Sequence, residues 1–375
     1  MKNGKYKIVH VIDKLSVDGS GVHGVTKVLE SWIKNFNREE FEFSIISLRA
    51  QEKAEEIFQK INVPIKFLNR SKIDPRTILD LTKIINQEKP DLLHLHGYGA
   101  ANFGRIVSKI KKIPNLVHEH AILTNQPFYQ TIADTILAPL TDKAVGVSSD
   151  VVKFLQEYRK TKKEKLEVIN NGIDTEGFKI PTEEQIIKER DRLKIPGDYK
   201  VVCKVGRLDR GKGHEYLFRA AKKVLNVHPK TIFLIVGAGP EHERLEALTH
   251  ELKINNNVVF TGYHTHVEVC LGLSNIFAFT SLSEGFCVSV LEAMNAGLPV
   301  VSFPVGGVNE LIQDSKNGFI VPMKDVDKLE EKISLLLNDD ELSRKIGDCA
   351  KVDCKNFDVK YSVQKLANLY KTLIN

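Results

Sequence analysis

The sequence predicts an α/β protein made of two doubly wound, Rossmann-like domains, each with a parallel sheet covered by helices. Three observations carry this prediction: the length of 375 residues, the alternation of short apolar runs with amphipathic stretches, and the return of that alternation in the second half. A chain of this length exceeds one ordinary core, so two domains of about 150–200 residues are expected. Runs that are apolar throughout are typical of strands buried on both faces.

The first half contains seven candidate strands separated by helical patterns. Strands are predicted at residues 6–12, 42–48, 65–67, 92–96, 116–118, 144–147 and 166–169. Amphipathic helices are predicted at 25–36, 54–61 and 76–87, because their apolar residues recur at helical spacing. Strands that alternate with helices in this way are typical of βαβ units and a parallel sheet.

The second half repeats the pattern. Strands are predicted at residues 201–205, 232–236, 258–260, 276–279, 299–303 and 319–321. The polar segment 182–196, flanked by prolines, indicates a boundary near residue 180. The final residues place Val363, Leu366 and Leu369 on one face of an amphipathic helix. We therefore expect domains at 1–180 and 181–357, followed by a terminal helix at 358–375.

Composition excludes several classes of protein. The chain is 42% hydrophobic and 27% charged, as in ordinary globular proteins. No apolar run approaches the roughly 18–20 residues that span a bilayer, and the first strand follows the N-terminus without a signal-peptide segment. The five cysteines lack disulfide or zinc spacing. We expect a cytoplasmic protein with free thiols.

Positive charge is concentrated in the first half. The net charge is +6, and residues 1–178 hold 27 Lys and Arg against 22 Asp and Glu. This excess either faces an anionic membrane or a phosphorylated acceptor, or only solvent. In the basic stretch 103–112 the apolar residues favour core packing over insertion into lipid. Peripheral contact of the N-terminal domain with the inner face of the membrane is one expectation; no nucleic-acid partner is expected.

Two motifs in the second half indicate a ligand site. Glu284 is predicted in a loop after the strand 276–279, and Glu292 inside the following helix, whose first amides favour an anion or hydroxyl groups. Upstream, Arg207 and Lys212 lie in a glycine-punctuated loop after the strand 201–205. An arginine fork and a compact lysine charge are suited to an anionic ligand.

The order and spacing of these motifs resemble the nucleotide-sugar-dependent retaining glycosyltransferases of family 4 (glycosyl transferases group 1), which have the GT-B fold. The resemblance implies two Rossmann-like domains that face a central cleft, with the C-terminal helix crossing back to the N-terminal domain. It also implies transfer of a sugar from a nucleoside-diphosphate sugar to a hydroxyl acceptor. No catalytic metal and no cofactor besides this co-substrate are expected.

The resemblance also assigns roles to residues of this chain. Glu284 and the backbone amides after it lie against the donor sugar, Glu292 binds the ribose, and Arg207 and Lys212 hold the leaving diphosphate. Glycine turns at Gly237 and Gly262 line the nucleobase pocket. The implied donor-binding set is Gly21, Gly24, Gly206, Arg207, Lys212, Gly237, Gly262, Tyr263, Glu284, Gly285, Phe286, Cys287, Val288 and Glu292.

The glycine-rich loop 18–24 allows more than one interpretation. Gly19, Gly21 and Gly24 match the G-x-G-x-x-G of dinucleotide-binding proteins, but six residues separate the strand from the first glycine. Arg49, not an acidic residue, follows the second strand. The resemblance instead places Gly21 and Gly24 over the donor diphosphate. A plain helix-entry loop is the third alternative.

Histidines cluster at two predicted strand ends. His94 and His96 end one strand, and His118 and His120 end the next. Residues two apart share a face of a strand, so a metal site, hydrogen-bonded core histidines or a catalytic group are all compatible with the pattern. The resemblance favours His120, with His118 second, as the histidine near the donor sugar and the acceptor hydroxyl.

Asp325 and Asp327 form a D-x-D pattern that metal-dependent transferases of another fold use. Because a helical stretch follows at once, Asp325 is predicted to cap that helix instead.

The predicted partners are a nucleotide-sugar donor and a sugar or lipid-linked sugar acceptor, in the synthesis of cell-surface polysaccharide or glycolipid. Two other functions remain open from the sequence. They are a nucleotide-sugar epimerase of similar shape and an NAD(P)-dependent oxidoreductase.

Overall fold

The computed structural model of the protein describes residues 4–16, 24–52, 54–71, 73–123 and 127–375. Spatial contacts divide the chain into two units. The N-terminal unit comprises Met1–Gly172 with Val359–Asn375, and the C-terminal unit comprises Ile173–Asp358. Among the described residues, no helix has both the length and the apolar character that a membrane crossing needs.

The N-terminal unit is a seven-stranded sheet covered by helices. Its strands are β1 Tyr6–Ile12, β2 Phe41–Ser47, β3 Ile65–Phe67, β4 Leu92–His96, β5 Asn115–Glu119, β6 Lys143–Gly146 and β7 Leu166–Val168. Its helices are α1 Gly24–Asn35, α2 Glu55–Gln59, α3 Arg76–Glu88, α4 Tyr98–Lys111, α5 Phe128–Leu137, α6 Ser149–Glu157 and the C-terminal helix Val359–Ile374. The strand order is β3-β2-β1-β4-β5-β6-β7, and all pairs are parallel.

The C-terminal unit repeats this architecture with six strands. These are β8 Lys200–Val205, β9 Thr231–Val236, β10 Val258–Gly262, β11 Ile276–Phe279, β12 Val300–Ser302 and β13 Phe319–Ile320. The helices are α7 Glu183–Arg192, α8 His214–Val227, α9 His242–Glu251, α10 Val267–Gly272, α11 Val288–Asn295, α12 Val308–Leu311, α13 Val326–Asn338 and α14 Asp340–Cys354. The parallel order is β10-β9-β8-β11-β12-β13. Two parallel Rossmann-like sheets confirm the predicted fold class.

The strands form where the sequence is apolar on both faces. Val9, Leu93 and Val117 from three neighbouring strands are buried in one cluster of the N-terminal unit. In the C-terminal unit Val202 and Phe233 pack in the corresponding core. Helices on both faces of each sheet exclude water from these side chains, which is the main favourable contribution to folding.

The C-terminal helix belongs to the N-terminal unit, as the fold class predicts. Tyr370 is buried, its ring stacks on Phe36 with centroids 5.6 Å apart, and its hydroxyl lies 2.7 Å from Nδ1 of His94. Ser362 donates a 2.7 Å hydrogen bond to the carbonyl of Asn170. These contacts fix the helix beside α1 and β4.

The boundary between the units differs from the predicted position near residue 180. Ile173 forms a parallel bridge with Asp358, and its amide donates a 3.1 Å hydrogen bond to the carbonyl of Phe357. The amide of Thr175 donates to the Asp358 carboxylate at 3.3 Å. Backbone pairing with a distant segment therefore starts the C-terminal unit at Ile173, which composition did not indicate.

The polar segment 182–196 contains a helix rather than only a linker. Thr182 caps α7, and its side chain accepts from the amide of Gln185 at 3.3 Å while Gln185 Oε1 accepts from the amide of Thr182 at 2.9 Å. The Thr-x-x-Gln spacing of this capping box was the signal that could have predicted the helix.

Asp325 is confirmed as a helix cap. Its side chain accepts from the amide of Lys328 at 2.9 Å at the start of α13.

Candidate active site

The first predicted motif forms a loop at the carboxyl end of β8. The amide of Gly206 donates to the carbonyl of Val236 at 2.9 Å, and that of Leu208 donates to Ala238 at 3.1 Å, so β9 holds the start of the loop. A short 3₁₀ turn, Arg210–Lys212, leads into α8. Arg207 is half-buried between these anchors. These backbone contacts therefore fix the positions of the Cα atoms of Arg207 and Lys212.

Gly213 closes the loop where a side chain cannot fit. Its φ is +61°, and an added Cβ would lie 2.1 Å from the carbonyl oxygen of Thr280. Thr280 Oγ1 donates back to the carbonyl of Gly213 at 2.9 Å, and the amide of Leu282 donates to Gly211 at 2.8 Å. The close approach that glycine permits joins the loop after β8 to the segment after β11.

Lys212 and Glu284 form the ion pair that joins the two predicted motifs. Lys212 Nζ lies 2.6 Å from Glu284 Oε1, and both side chains are partly exposed. Glu284 lies in the loop between β11 and α11, and Glu292 in the second turn of α11, where the sequence analysis placed them. The structure thus brings the cation of one motif against the carboxylate of the other.

The backbone after Glu284 packs closely against Gly306 and Gly307. Phe286 and Cys287 are both buried. An added Cβ on Gly306 would lie 2.8 Å from the carbonyl of Glu284, and one on Gly307 would lie 2.4 Å from the ring of Phe286. Sequence analysis missed these two glycines; their adjacency after a strand was the available signal.

Gly285 is also buried, and Val288 begins α11. Burial raises the pKa of the Cys287 thiol well above its usual value, so it stays protonated at neutral pH. The first turn of α11 thus lies at the end of this loop, and a helix N-terminus is a favourable place for anionic or hydroxyl oxygens. The amide of Val288 donates to the carbonyl of Phe286 at 3.2 Å, so a ligand would have to replace that bond to use it.

The predicted nucleobase turns also lie together. The amide of Gly237 donates to the carbonyl of Gly262 at 3.0 Å, and an added Cβ on Gly237 would lie 2.0 Å from the carbonyl of Gly206. Tyr263 follows at the surface with 56% of its area exposed. Turns after β8, β9 and β10 therefore meet at the carboxyl ends of their strands, where open α/β sheets bind ligands.

In the N-terminal unit the predicted histidines form two hydrogen-bonded chains. His96 Nδ1 lies 3.0 Å from His120 Nε2, and His96 Nε2 lies 2.9 Å from His10 Nδ1. The second chain joins His94 Nε2 to His118 Nδ1 at 3.1 Å, and continues to Tyr370. Parallel register explains the clustering, because His10 pairs with His94 and His96 with His118 in neighbouring strands.

His10 was missed in the sequence analysis. Its position on the strand next to His94 was the signal that could have found it. Tyr370 had no local signal, since 276 residues separate it from His94.

Burial keeps these rings neutral. It lowers the pKa of His10 to about 3, and it lowers the pKa values of His94, His96 and His118 well below the usual range. His120 is the half-buried member at the end of β5.

Among the residues that the structure describes, three groups of side chains have metal-compatible spacing. Ligand atoms lie within 4.8 Å of one another in each of the sets His10/His94/His96, His96/His118/His120 and Glu189/His264/Cys270. Each of the first two sets contains one hydrogen-bonded pair of histidines, His10 with His96 and His96 with His120. A metal would have to replace those bonds.

Two predicted residues belong to the N-terminal glycine-rich loop. Gly21 lies outside the described residues. Gly24 is the exposed first residue of α1, and an added Cβ there would meet no atom within 4 Å. Packing among the described residues does not require glycine at this position, so its donor-binding role stays a prediction.

Two arginines of the N-terminal unit, Arg105 in the basic stretch 103–112 and Arg159, are structural. Arg159 Nη1 lies 2.6 Å from Asp134 Oδ2, and Arg105 Nη1 lies 3.5 Å from Asp134 Oδ1, with all three side chains buried. They are therefore unavailable as surface charges.

The buried histidines predict acid sensitivity of the N-terminal unit. His10 has a folded pKa below its unfolded value near 6.5, so the unfolded chain binds more protons between about pH 6.5 and 3, and stability falls as the pH falls through that window. Each such histidine raises the unfolding equilibrium constant by up to about tenfold per pH unit. Urea unfolding at pH 7 and pH 5, followed by the fluorescence of Trp32, measures this.

Trp32 is the single tryptophan, and its ring stacks on His118 with centroids 4.9 Å apart. His10→Phe should be less sensitive to acid than the wild type, whereas His266→Phe, at an exposed side chain, should behave like it. Equal urea midpoints at both pH values for the wild type would show that the buried rings do not govern acid stability.

Two family profiles match this chain, one in its N-terminal part and one in its C-terminal part. Residues 185–353 match the profile of the family described as glycosyl transferases group 1, and residues 22–177 match glycosyltransferase family 4. An Escherichia coli UDP-Gal:alpha-D-GlcNAc-diphosphoundecaprenol alpha-1,3-galactosyltransferase is 24% identical, and the alignment covers 99% of this chain and 98% of that protein.

Two solved structures share the fold over nearly the whole chain. The Anabaena protein HepE in complex with UDP has a TM-score of 0.85 at 22% identity, covering 98% of this chain and 100% of that one. A glycosyltransferase from Rickettsia africae has a TM-score of 0.87 at 22% identity, covering 99% of both chains.

The fold and the two matched profiles together define a class: the chain is a GT-B glycosyltransferase. It belongs to the family 4 (glycosyl transferases group 1) type and uses a nucleotide-sugar donor.

Proposed function

We propose that this enzyme transfers a sugar, with retention of anomeric configuration, from a nucleoside-diphosphate sugar to a hydroxyl of a sugar or lipid-linked sugar acceptor. The observation that carries the proposal is the Lys212–Glu284 pair, 2.6 Å long, at the carboxyl end of the C-terminal sheet. In the proposal, Lys212 is the cation for the leaving diphosphate and Glu284 is the carboxylate for the donor sugar. Retention is supported by the resemblance of both motif loops to those of retaining enzymes.

The proposed chemistry follows from charge. As the glycosidic bond to the diphosphate breaks, negative charge grows on the leaving oxygen, and Arg207 and Lys212 stabilise it. Glu284 accepts hydrogen bonds from hydroxyls of the transferred sugar and favours positive charge at its anomeric carbon. Glu292 accepts from the ribose hydroxyls. Close glycine contacts hold the backbone of the loops that carry Arg207, Lys212 and Glu284, and Glu292 is held by helix α11.

His120 is assigned in the same proposal to the neighbourhood of the reacting sugar and the acceptor hydroxyl. Its ring is oriented by the 3.0 Å contact with His96, whose pKa burial keeps low, so that His96 remains neutral. An oriented imidazole can hold a hydroxyl hydrogen at a defined position.

The test is release of nucleoside diphosphate from a panel of nucleotide sugars, with and without acceptor, in the presence of EDTA. We expect turnover to survive exhaustive EDTA treatment, because Arg207, Lys212 and backbone amides take the place of a divalent ion. Activity lost in EDTA and restored only by a divalent ion would contradict the metal-free proposal. Proton NMR of the fresh product gives the anomeric configuration, and an inverted product would contradict retention.

An acceptor carried on a lipid agrees with an unusual helix in the N-terminal unit. Helix α5 buries polar residues and exposes apolar ones. Its buried residues are Gln130 and Asp134. Phe128, Ile132 and Ile136 are exposed at 78%, 44% and 66%. The three exposed residues recur every four positions and so share one face. We call this face, together with Leu123 and Tyr129, the apolar stripe; both added residues are 54% exposed.

The surroundings of the apolar stripe favour an anionic bilayer as its partner. The only carboxylate on α5 is Asp134, which is neutralised by buried arginines. Lys165 Nζ donates to the carbonyl of Pro139 at 3.1 Å, so an amine lies just beyond the C-terminal end of α5. Apolar side chains next to cations are the usual means by which a protein binds the surface of an anionic membrane. We therefore propose peripheral binding to the inner face of the cell membrane by a cytoplasmic enzyme.

Vesicle flotation tests the membrane proposal. The wild type should float with vesicles containing phosphatidylglycerol, and Ile132→Asp/Ile136→Asp should bind at least tenfold more weakly because two charges oppose burial in lipid. Ile187→Asp, which changes an isoleucine 52% exposed on α7, is the matched control. Equal flotation of all three proteins would contradict the proposal, as would dimerisation through the stripe detected by sedimentation.

A further inference from the structure

Lys204 is a buried amine that the fold does not explain. It lies on β8 with 1% of its surface exposed, and its Nζ is 5.6 Å from the ring centroid of Phe279. Across the parts of the chain that the structure describes, its amine makes no hydrogen bond or ion pair. An unpaired buried ammonium costs stability, so a folding role alone would not favour lysine here.

Two further buried polar groups lie beside this position. The hydroxyl of Ser281 after β11 has no hydrogen-bond partner among the described residues. The ring nitrogens of His214, the first residue of α8, make no hydrogen bond of good geometry there, although the backbone of Asp209 lies near enough to oppose the lowering of its pKa. His214 is 2% exposed and Ser281 1%. All three groups stand at the carboxyl end of the sheet, next to the loop that carries Lys212. A ligand rich in oxygen atoms would supply the missing partners.

Charged groups from the loops after β8 and β11 surround Lys204, and the first residue of α8 lies beside it. Burial, followed by the nearby Lys212, lowers the pKa of Lys204 to about 7, while Glu284 and Asp209 oppose this shift. Burial lowers the pKa of His214 to about 2, so His214 does not titrate near neutral pH. Cys203 is the neighbouring titratable group on the same strand, and burial raises the pKa of its thiol, so it stays protonated.

We propose that Lys204 is a third cation of the donor site, beneath the loop of Arg207 and Lys212, and that its amine takes up a solvent proton as a nucleoside diphosphate binds. An anion at this loop favours the charged amine, and by linkage the charged amine favours the anion. Donor affinity is then greatest where Lys204 is already protonated and weakens as the pH rises. The inference rests on the proposed function, since it takes the anion to be the diphosphate of the donor.

The test is calorimetric titration of the full chain at pH 6.5, 8 and 9 with the tightest binder among UDP, GDP, ADP and dTDP. Lys204→Met removes the charge but keeps the length and apolar stem of the side chain. Lys200→Met is the matched control, because Lys200 begins the same strand and its amine pairs with Asp340 at 2.7 Å on the surface. Buffers of different ionisation enthalpy give the number of protons taken up.

At pH 6.5 the diphosphate should bind Lys204→Met at least tenfold more weakly than the wild type, and this ratio should shrink toward pH 9. At pH 8 the proton uptake of the wild type should exceed that of Lys204→Met by roughly half a proton or more per site. Titration of the diphosphate itself is common to both proteins and cancels in the ratio. Lys200→Met should match the wild type throughout.

Stability separates a binding role from a structural one. Without ligand, Lys204→Met should melt at or above the wild-type temperature, because an unpaired buried amine has been removed. A pH-independent affinity ratio, or equal proton uptake in both proteins, overturns the inference while leaving the proposed function intact. Failure of all four diphosphates to bind the wild type overturns the proposed function itself.

Discussion

Lys212→Ala and Arg207→Ala are each expected to lower kcat for sugar transfer by about 100-fold or more while leaving the fold intact. Each side chain supplies positive charge where the departing diphosphate gains negative charge, and removal of one such group from a preorganised site typically costs this much. The loop itself should persist, because its shape depends on backbone bonds to Val236 and Ala238 and on the contact of Gly213 with Thr280.

Arg210→Ala is the matched control for this loop. Arg210 lies between the two candidates in sequence, but its side chain is 82% exposed and pairs with Glu241 at 3.4 Å. Its removal should change kcat less than threefold. All three variants should keep the wild-type melting temperature within a few degrees. Turnover of Lys212→Ala and Arg207→Ala within threefold of the wild type would remove these residues from the diphosphate site.

The strands were predictable from sequence because both faces of each sheet are buried. Strands β1, β3, β4 and β11 have the predicted bounds, since β-branched and apolar runs end at polar or turn residues. Helix α7 was not predicted, because none of its residues is buried and most of them are charged. The sequence feature that could have predicted α7 is its capping box, because its apolar residues show no helical periodicity.

The site was predictable where the chemistry is local in sequence. Arg207 to Lys212 and Glu284 to Glu292 each lie within one loop–helix segment, so their spacing carried the prediction. The contact between Lys212 and Glu284 was not predictable by spacing, since 72 residues separate them.

Lys204 was missed for a related reason. A single lysine in an apolar strand gives no periodic signal, and only the neighbouring strands and the helix after the loop show that its amine is buried. The burial of the Lys204 amine therefore depends on packing between segments that are distant in sequence, which the local sequence pattern does not show.

Glu292→Gln and Glu284→Gln are expected to fail in different ways. Glu292→Gln should bind nucleoside diphosphate at least tenfold more weakly, because a carboxylate that accepts two ribose hydroxyl bonds contributes roughly 1.5–3 kcal/mol per charge-assisted bond at most. The glutamine amide keeps the shape of the carboxylate, but its NH₂ group would face the ribose hydroxyls, which are themselves hydrogen-bond donors. Calorimetric titration of the diphosphate against each variant measures this difference.

Glu284→Gln should leave diphosphate affinity unchanged or a few-fold tighter. In the wild type, Lys212 is paired with Glu284 at 2.6 Å, so a bound diphosphate must compete for that ammonium. With the amide in place the ammonium is released to the phosphate oxygens. Transfer should nevertheless collapse, by about 100-fold or more, because the carboxylate that orients the donor sugar and favours charge at its anomeric carbon is lost.

The two carboxylates therefore separate binding from chemistry. Glu246→Gln, at an exposed position on α9, is the control for a simple change of surface charge and should behave as wild type in both assays. Weakened diphosphate binding in Glu284→Gln alone, or equally in both variants, would exclude the proposed division of labour. A Glu284→Gln enzyme that binds diphosphate tightly and cannot transfer would place the carboxylate of Glu284 at the sugar and that of Glu292 at the ribose. The ion pair of the unliganded loop is then a contact that the donor replaces as it binds.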